Sequence, residues 1–241
     1  MNSKVATSYT SQEWQRELIN KITAFIQSNI SFIGVPFLDP SSAFEKPKPS
    51  TQAPGVRVLD YACGPGTITA ILAGRATEFV GVDLSENMVQ EYNSRFAANG
   101  DTDEQINAHA VVGNLISAHA NADAAVLDSA KFHNFDLAVV GMGFHHFTDV
   151  RLATRRLVER LRPGGVFMIV DFVTHAMEAE VHPELKDAVN TISHHGFSEE
   201  ELRTVFAEAG LTDFALVRMG EEVTIRGTSK REPFMARATK L

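Results

Sequence analysis

The sequence predicts an α/β protein built on a doubly wound, mostly parallel sheet, and three observations predict it. From residue 56 onward, short apolar β-rich runs alternate with amphipathic helical patterns, the order in which a parallel sheet and its covering helices are written. The first run, "VRVLD" at 56–60, passes straight into "YACGPGTIT", with glycines at 64 and 66 on either side of a proline. Glycine admits the positive φ values that such a tight strand-to-helix reversal needs. The second run, "EFVGVD", ends on an acid, Asp83, at the strand end where open α/β sheets bind ligands.

Each element follows from its pattern. Trp14, Leu18, Ile22, Phe25 and Ile26 recur at helical spacing, so about 11–30 reads as an amphipathic helix with Ser11 as its N-cap. "FLDPSSAFEKPKPSTQAPG" at 37–55 carries four prolines among small polar residues and reads as a linker. A domain boundary is expected there, with a 1–55 N-terminal piece ahead of a 56–241 main domain. "TITAILAGR" is a helix. "SENMVQEYNSRFAAN" is another, capped by Ser85, with Met88, Val89, Tyr92 and Phe96 on its buried face. "INAHAVVGN" and "FDLAVVGMG" are strands, "DVRLATRRLVERL" is a helix, and "GVFMIVDFV" is a nearly continuous apolar strand. "SEEELRTVFAEAG" opens on Ser198 and Glu201 at capping-box spacing and closes on Gly210. "TDFALVRMG" and "PFMARATK" then form an antiparallel hairpin across the polar segment "EEVTIRGTSKRE".

Composition narrows the function. Apolar residues make up 44 % of the 241 and charged residues 22 %, enough for a core and too ordinary for wholesale disorder. The net charge is −8, with no Lys/Arg block, which argues against nucleic-acid partners. A single cysteine, Cys63, excludes an intramolecular disulfide and a thiolate metal cluster. No run approaches the ~18 apolar residues of a membrane span, and the first residues carry no signal-like apolar block. A soluble, cytoplasmic protein, monomer or homodimer, without stable membrane insertion and without a metal, is expected.

The glycine turn and Asp83 together outline a nucleoside site. The helix after the turn offers unpaired N–H groups, and Asp83 is placed to accept from both ribose hydroxyls. A dinucleotide fingerprint needs a third glycine where this chain has Thr69. Asp60, just before the turn, suits a cationic amine better than a pyrophosphate. The ligand implied therefore carries an amino group, a carboxylate and a ribose.

"VLDYACGPGTIT" with "GVDLSENM", followed by "FDLAVVGMGFHHFTD", "LRPGG", "FSEEELRTVFAEAGL" and "PFMARATK", resembles the class I S-adenosylmethionine-dependent methyltransferases. Within them the chain is similar to the small-molecule branch, near the quinone-biosynthesis methyltransferases and their fungal natural-product relatives. The resemblance covers about 56–240. It implies a Rossmann-like methyltransferase fold of seven strands, the last antiparallel. Residues 1–55, with Tyr9 and Trp14, would form a helical lid, or a helix that merely covers an edge of the core, and a substrate-cap insertion would lie at about 172–197. It places Asp60, Ala62, Gly64 and Gly66 around the methionine end of the cofactor and Asp83 on its ribose. Leu84 and Met88 would pack nearby, Asn114 and Leu115 would meet the adenine, and the Gly141 carbonyl would meet the methionine amine. Ala62 stands where the family has a glycine, and Asn114 where it has an aspartate. Cys63 is expected as a small buried filler.

The acceptor side is read from the residues. His145 and His146 follow the fourth strand at the ligand-binding edge, and an imidazole suits a general base near neutrality. Each is either a base or substrate contact, or a packed or capping histidine. His194 and His195 lie in the insertion, as pocket residues or as a polar helix end. Phe144, Phe172 and Trp14 are candidates for an apolar substrate pocket, with plain core packing the alternative for the phenylalanines. The expected activity is methyl transfer from S-adenosylmethionine, giving S-adenosylhomocysteine, to an oxygen, sulfur or carbon nucleophile of a small, largely apolar metabolite. The alternatives are thiol or dithiol S-methylation, and a non-catalytic module that binds the cofactor or its product.

Overall fold

The computed structural model describes residues 13–40, 55–97, 106–116, 127–176, 191–225 and 229–241. Tyr9, the Ser11 cap, most of the proline-rich segment and the middle of the cap insertion lie outside them.

Two helices lead the chain, α1 (Glu13–Ser28) and the short α2 (Ile30–Ile33). Then follow β1 (Arg57–Tyr61), α3 (Thr67–Ile71), β2 (Glu78–Asp83), α4 (Glu86–Phe96), β3 (Ala108–Val112) and β4 (Phe135–Gly141). The second half runs α5 (Val150–Val158), β5 (Leu161–Phe172), α6 (Glu199–Glu208), β6 (Leu211–Arg218), β7 (Val223–Ile225), β8 (Ser229–Arg231) and β9 (Pro233–Lys240). Seven strands form one sheet in the order β3-β2-β1-β4-β5-β9-β6. The first five are parallel, and β9 runs antiparallel between β5 and β6.

Successive residues of a strand face opposite sides of the sheet. Val58, Leu137, Val139, Val166, Met168 and Val170 join one buried cluster. Leu59, Ala138, Val140, Phe167 and Ile169 join the other. With helices on both faces, these strands read as unbroken apolar runs. Ile22, Phe25, Ile26 and Ile33 belong to the first cluster, so α1 and α2 are packed into the core. Burying the three large side chains of α1 contributes on the order of 5 kcal/mol before entropy is subtracted.

Sequence patterning placed three details differently. The helix expected over "TITAILAGR" stops at Ile71, and the next residues are turns closed by the Arg75 N–H on Leu72 O. β5 begins at Leu161, four residues ahead of Gly165, because Leu161 already pairs with Phe135 across an irregularity in the register. The segment 221–232 does more than reverse the chain: Val223–Ile225 and Ser229–Arg231 pair as a separate ribbon. Val223 and Ile225 turn inward beneath Trp14 and Leu18 of α1. Ser85 and Ser198 cap their helices as patterned, accepting from the Met88 and Glu201 N–H groups, and Asp149 adds a third cap by accepting from Leu152 N–H; each such cap contributes about 1 kcal/mol.

Candidate active site

The carboxyl ends of β1, β2 and β3 carry the first half of the site. Ala62, Gly64 and Gly66 all have positive φ, at 55°, 50° and 81°. Gly66 is required twice over, since a Cβ there would lie 2.4 Å from the Phe96 ring and 2.9 Å from Tyr92. A Cβ on Gly64 would meet nothing within 4 Å, so the space above the turn is open. The Gly64 N–H donates to Asp83 Oδ2 at 2.9 Å, and the Ser85 N–H donates to Asp83 Oδ1 at 2.8 Å. The half-buried Asp83 thus ties the turn to the end of β2 and keeps lone pairs for further donors. Beside it Leu84 is 68 % exposed and Val112 47 % exposed. Register places Asp83 against Val112, so the two apolar side chains flank one carboxylate at the open edge.

Several expected residues sit beneath this surface. Met88 and Leu115 are buried and support the edge from below. Gly141 leaves room for Ile68, whose side chain a Cβ would meet at 2.3 Å. Asn114 turns back on its own chain: its Oδ1 accepts from the Ile116 N–H at 3.0 Å and from the Tyr61 hydroxyl at 3.3 Å, which engages the oxygen that was to receive the adenine amine. Cys63 is buried, and desolvation pushes its thiol up, away from thiolate chemistry.

Asp60 is the main correction on this side. It is 1 % exposed, and its Oδ2 accepts from the Thr69 N–H at 3.2 Å and the Thr69 hydroxyl at 2.8 Å. Thr69 Oγ1 also pairs with the Tyr92 hydroxyl at 2.9 Å. Asp60 therefore pins α3 and α4 from inside and does not line the open edge. Burial raises its pKa from 3.8 to about 7, against the lowering effect of the Thr69 bonds. Thr69, absent from the expected site, is the partner that replaces the third glycine of a dinucleotide turn.

The carboxyl ends of β4 and β5 carry the second half. Asp171, the penultimate residue of β5, is fully buried. Its carboxylate lies 2.9 Å from His145 Nδ1, and it accepts from the backbone N–H groups of His145 at 3.1 Å and Phe172 at 2.8 Å. The His145 carbonyl in turn accepts from Ser193 and His194 N–H groups at 2.9 and 3.0 Å, which joins the far end of the cap insertion to β4. His146 is exposed, with Nδ1 2.9 Å from the Thr191 carbonyl and its ring 4.2 Å from that of His145. Sequence reasoning missed Asp171. Its signal was present, a lone acid inside the apolar run "VFMIVDFV".

The other acceptor-side candidates divide. Phe144 is 0 % exposed and packs on Phe147, Phe167 and Phe197, so it is core and not pocket wall. His194 bonds the Phe147 carbonyl through Nε2 at 3.0 Å and lies against Phe197, which makes it a brace for the loop. His195 stacks edge-on against His175 at 5.8 Å. Phe172 is buried in a cluster with Val223 and Ile225, against which Trp14, Leu18, Met142 and Met219 pack. Its ring is 6.3 Å from His145 and carries the Arg231 guanidinium at 5.6 Å. A cavity of about 650 Å³ lies between α1, the turn and α4, lined by Arg16, Pro65, Thr67 and Glu91 among others, so α1 covers the flank of the turn.

A parallel sheet in this order with an antiparallel strand inserted before its edge, a glycine turn after β1 and a carboxylate at the end of β2 define a Rossmann-like methyltransferase domain. Comparison with known proteins agrees. The chain belongs to the methyltransferase domain family, whose sequence model matches residues 15–216. An uncharacterised methyltransferase of Schizosaccharomyces pombe is 28 % identical over 165 residues, 68 % of this chain and 56 % of the relative. The ubiquinone/menaquinone biosynthesis C-methyltransferase UbiE of a Shewanella species is 30 % identical over 126 residues, 51 % of this chain and 45 % of the relative. The chain spans about half the length of these relatives. Among solved structures, the magnesium protoporphyrin IX methyltransferase of Synechocystis with bound S-adenosylmethionine superposes with a TM-score of 0.57 at 13 % identity, over 95 % of this chain and 85 % of that one. The CurJ carbon methyltransferase gives 0.55 at 17 % identity, over 83 % and 51 %. At these identities the likeness is one of fold. Among the described residues, no helix is long and apolar enough to cross a membrane, and no group of three or more His, Cys, Asp or Glu could hold a metal ion.

Proposed function

We propose that the protein transfers a methyl group from S-adenosylmethionine to a nucleophile on a small, largely apolar metabolite. One observation carries the reading. The open carboxyl edge joins a nucleoside-shaped half, with Asp83 between exposed Leu84 and Val112, to a histidine-bearing half at the ends of β4 and β5. The residues present fit the cofactor. The space above Gly64 is unobstructed, the Asp83 carboxylate keeps acceptor capacity for ribose hydroxyls, and Leu84 with Val112 offers apolar faces to a purine. Bound there, S-adenosylmethionine supplies an electrophilic methyl on a sulfonium. The protein's part is alignment of the acceptor and a suitable field around it. Phe172, Trp14 and the β7–β8 ribbon would shelter the acceptor from water. The family membership, and relatives named as carbon and quinone methyltransferases, support the same reading.

Calorimetric titration with S-adenosylhomocysteine tests it. The wild type is expected to bind in the micromolar range. Leu84→Asp, at an exposed position, is expected to weaken binding about tenfold, or about 1.4 kcal/mol, with an unchanged unfolding midpoint. Heat with NADH and none with S-adenosylhomocysteine would overturn the proposal.

A further inference from the structure

We infer that His145 Nε2 is the general base of the reaction, that Asp171 is its positioning residue, and that the acceptor is a hydroxyl and not a thiol. The inference rests on the methyl-transfer reading above and adds the class of nucleophile to it.

Asp171 is a fully buried acid. A carboxylate at zero exposure is costly unless donors surround it. Asp171 has two backbone N–H donors and the His145 ring nitrogen, all within 3.1 Å. A carboxylate only accepts, so the ring presents Nδ1–H to it, and the neutral imidazole carries its lone pair on Nε2. The backbone of His145 is held at both ends, by Asp171 at its N–H and by Ser193 and His194 at its carbonyl. The side chain keeps 11 % of its surface exposed, and Nδ1 is already taken. No described residue bonds Nε2, which leaves that atom to meet an acceptor. His146 lacks this arrangement. It is exposed, and its Nδ1 lies against the Thr191 carbonyl, a neutral acceptor in place of the buried carboxylate that His145 has.

The step balances as follows. The acceptor hydroxyl gives its proton to His145 Nε2 while an oxygen lone pair forms the new O–CH3 bond. The carbon–sulfur bond of the donor breaks, and its electron pair returns to sulfur as a neutral thioether. The imidazolium is held by Asp171 through Nδ1–H, and its extra proton passes to water once the product leaves. A thiol is already partly ionised near neutrality, so it gains far less from a positioned base than a hydroxyl does.

Two measurements on the full chain test this. Long-range ¹H–¹⁵N spectra of the imidazoles, with His145 assigned by His145→Gln, are expected to show Nδ1 protonated and Nε2 bare in the neutral form. Nε2 protonated instead would overturn the inference without any substrate. The second uses 2-naphthol and 2-naphthalenethiol as a matched pair of probes with a labelled methyl donor. Asp171→Asn is expected to lower kcat on the naphthol about a hundredfold, while KM, S-adenosylhomocysteine affinity and the rate on the thiol stay within threefold. Equal losses on both probes would mean a merely structural carboxylate and overturn the inference, as would no loss on either, or methylation of the thiol alone. If neither probe is methylated, the hydroxyl assignment fails when S-adenosylhomocysteine still binds. It falls together with the methyltransferase reading when that product does not bind.

Discussion

The two halves of the sheet's open edge are held together by different means. Around β1 to β3, the parts lie close in sequence and are tied largely through backbone. The Gly64 and Ser85 N–H groups meet Asp83, and the Gly113 N–H meets the Asp83 carbonyl at 3.0 Å. Around β4 and β5, the parts come from along the whole chain and meet through side chains. His145 meets Asp171, and Phe172 clusters with Val223 and Ile225, with Trp14 packed against that cluster. The first half is a frame set by backbone hydrogen bonds, by the glycines of the turn and by two acids, Asp83 at the edge and Asp60 beneath it. The second is assembled from side chains that only the fold brings together.

The comparison can be broken at three points. Gly66→Ala strikes the frame hardest. The new Cβ would meet Phe96 at 2.4 Å with φ at 81°, so strain and overpacking together are expected to cost about 4 kcal/mol in urea unfolding. A loss under about 1 kcal/mol would mean that α4 moves aside easily and the frame is not rigid.

Asp60→Asn comes next and carries a sign. The folded carboxyl has its pKa raised to about 7 from 3.8, so the fold binds its proton more tightly than the unfolded chain does. Its stabilisation is complete below pH 4 and is lost as pH rises through 7. From pH 5 to pH 8 this one group is expected to remove about 3 kcal/mol. Asn keeps an acceptor for Thr69 without the charge, so the variant is expected to flatten that slope and to be the more stable protein at pH 8. An unchanged slope would sink the account of Asp60 as a buried, internally bonded acid.

Ile225→Ala sharpens the other side. Ile225 is buried in a small cluster whose Trp14, Leu18 and Met219 are only partly covered, so the loss is expected near the low end for such a truncation, about 2 kcal/mol. S-adenosylhomocysteine affinity is expected to hold while acceptor KM rises. A loss of product affinity instead would show the two halves to be one unit.

The same division explains what the sequence disclosed. Asp83, Leu84 and Gly64 were legible because strand end, turn and helix cap follow one another within a few residues. Asp171 was not, because its meaning depends on His145, 26 positions away, and an acid in an apolar strand has no local pattern to announce its partner. Phe144 was misread for a related reason, since an aromatic beside a histidine looks like pocket wall until Phe167 and Phe197 are brought against it. Asp60 was assigned outward because its position favours a cation, whereas Thr69 takes it inward. The ribbon showed only two apolar residues in a polar run, Val223 and Ile225, and a period of two over three residues is too short to stand out.

The placement of β9 governs how the molecule is made. It is the last strand in chain order, yet it lies inside the sheet and pairs with both β5 and β6. On the ribosome, β5 emerges long before its neighbour exists, with residues 166–170 apolar on both faces and one row of N–H and C=O groups unpaired. Such an edge invites pairing with other chains. Until residues 233–240 are added, nothing in the sheet covers that side of β5, so the fold closes only when its final strand is in place.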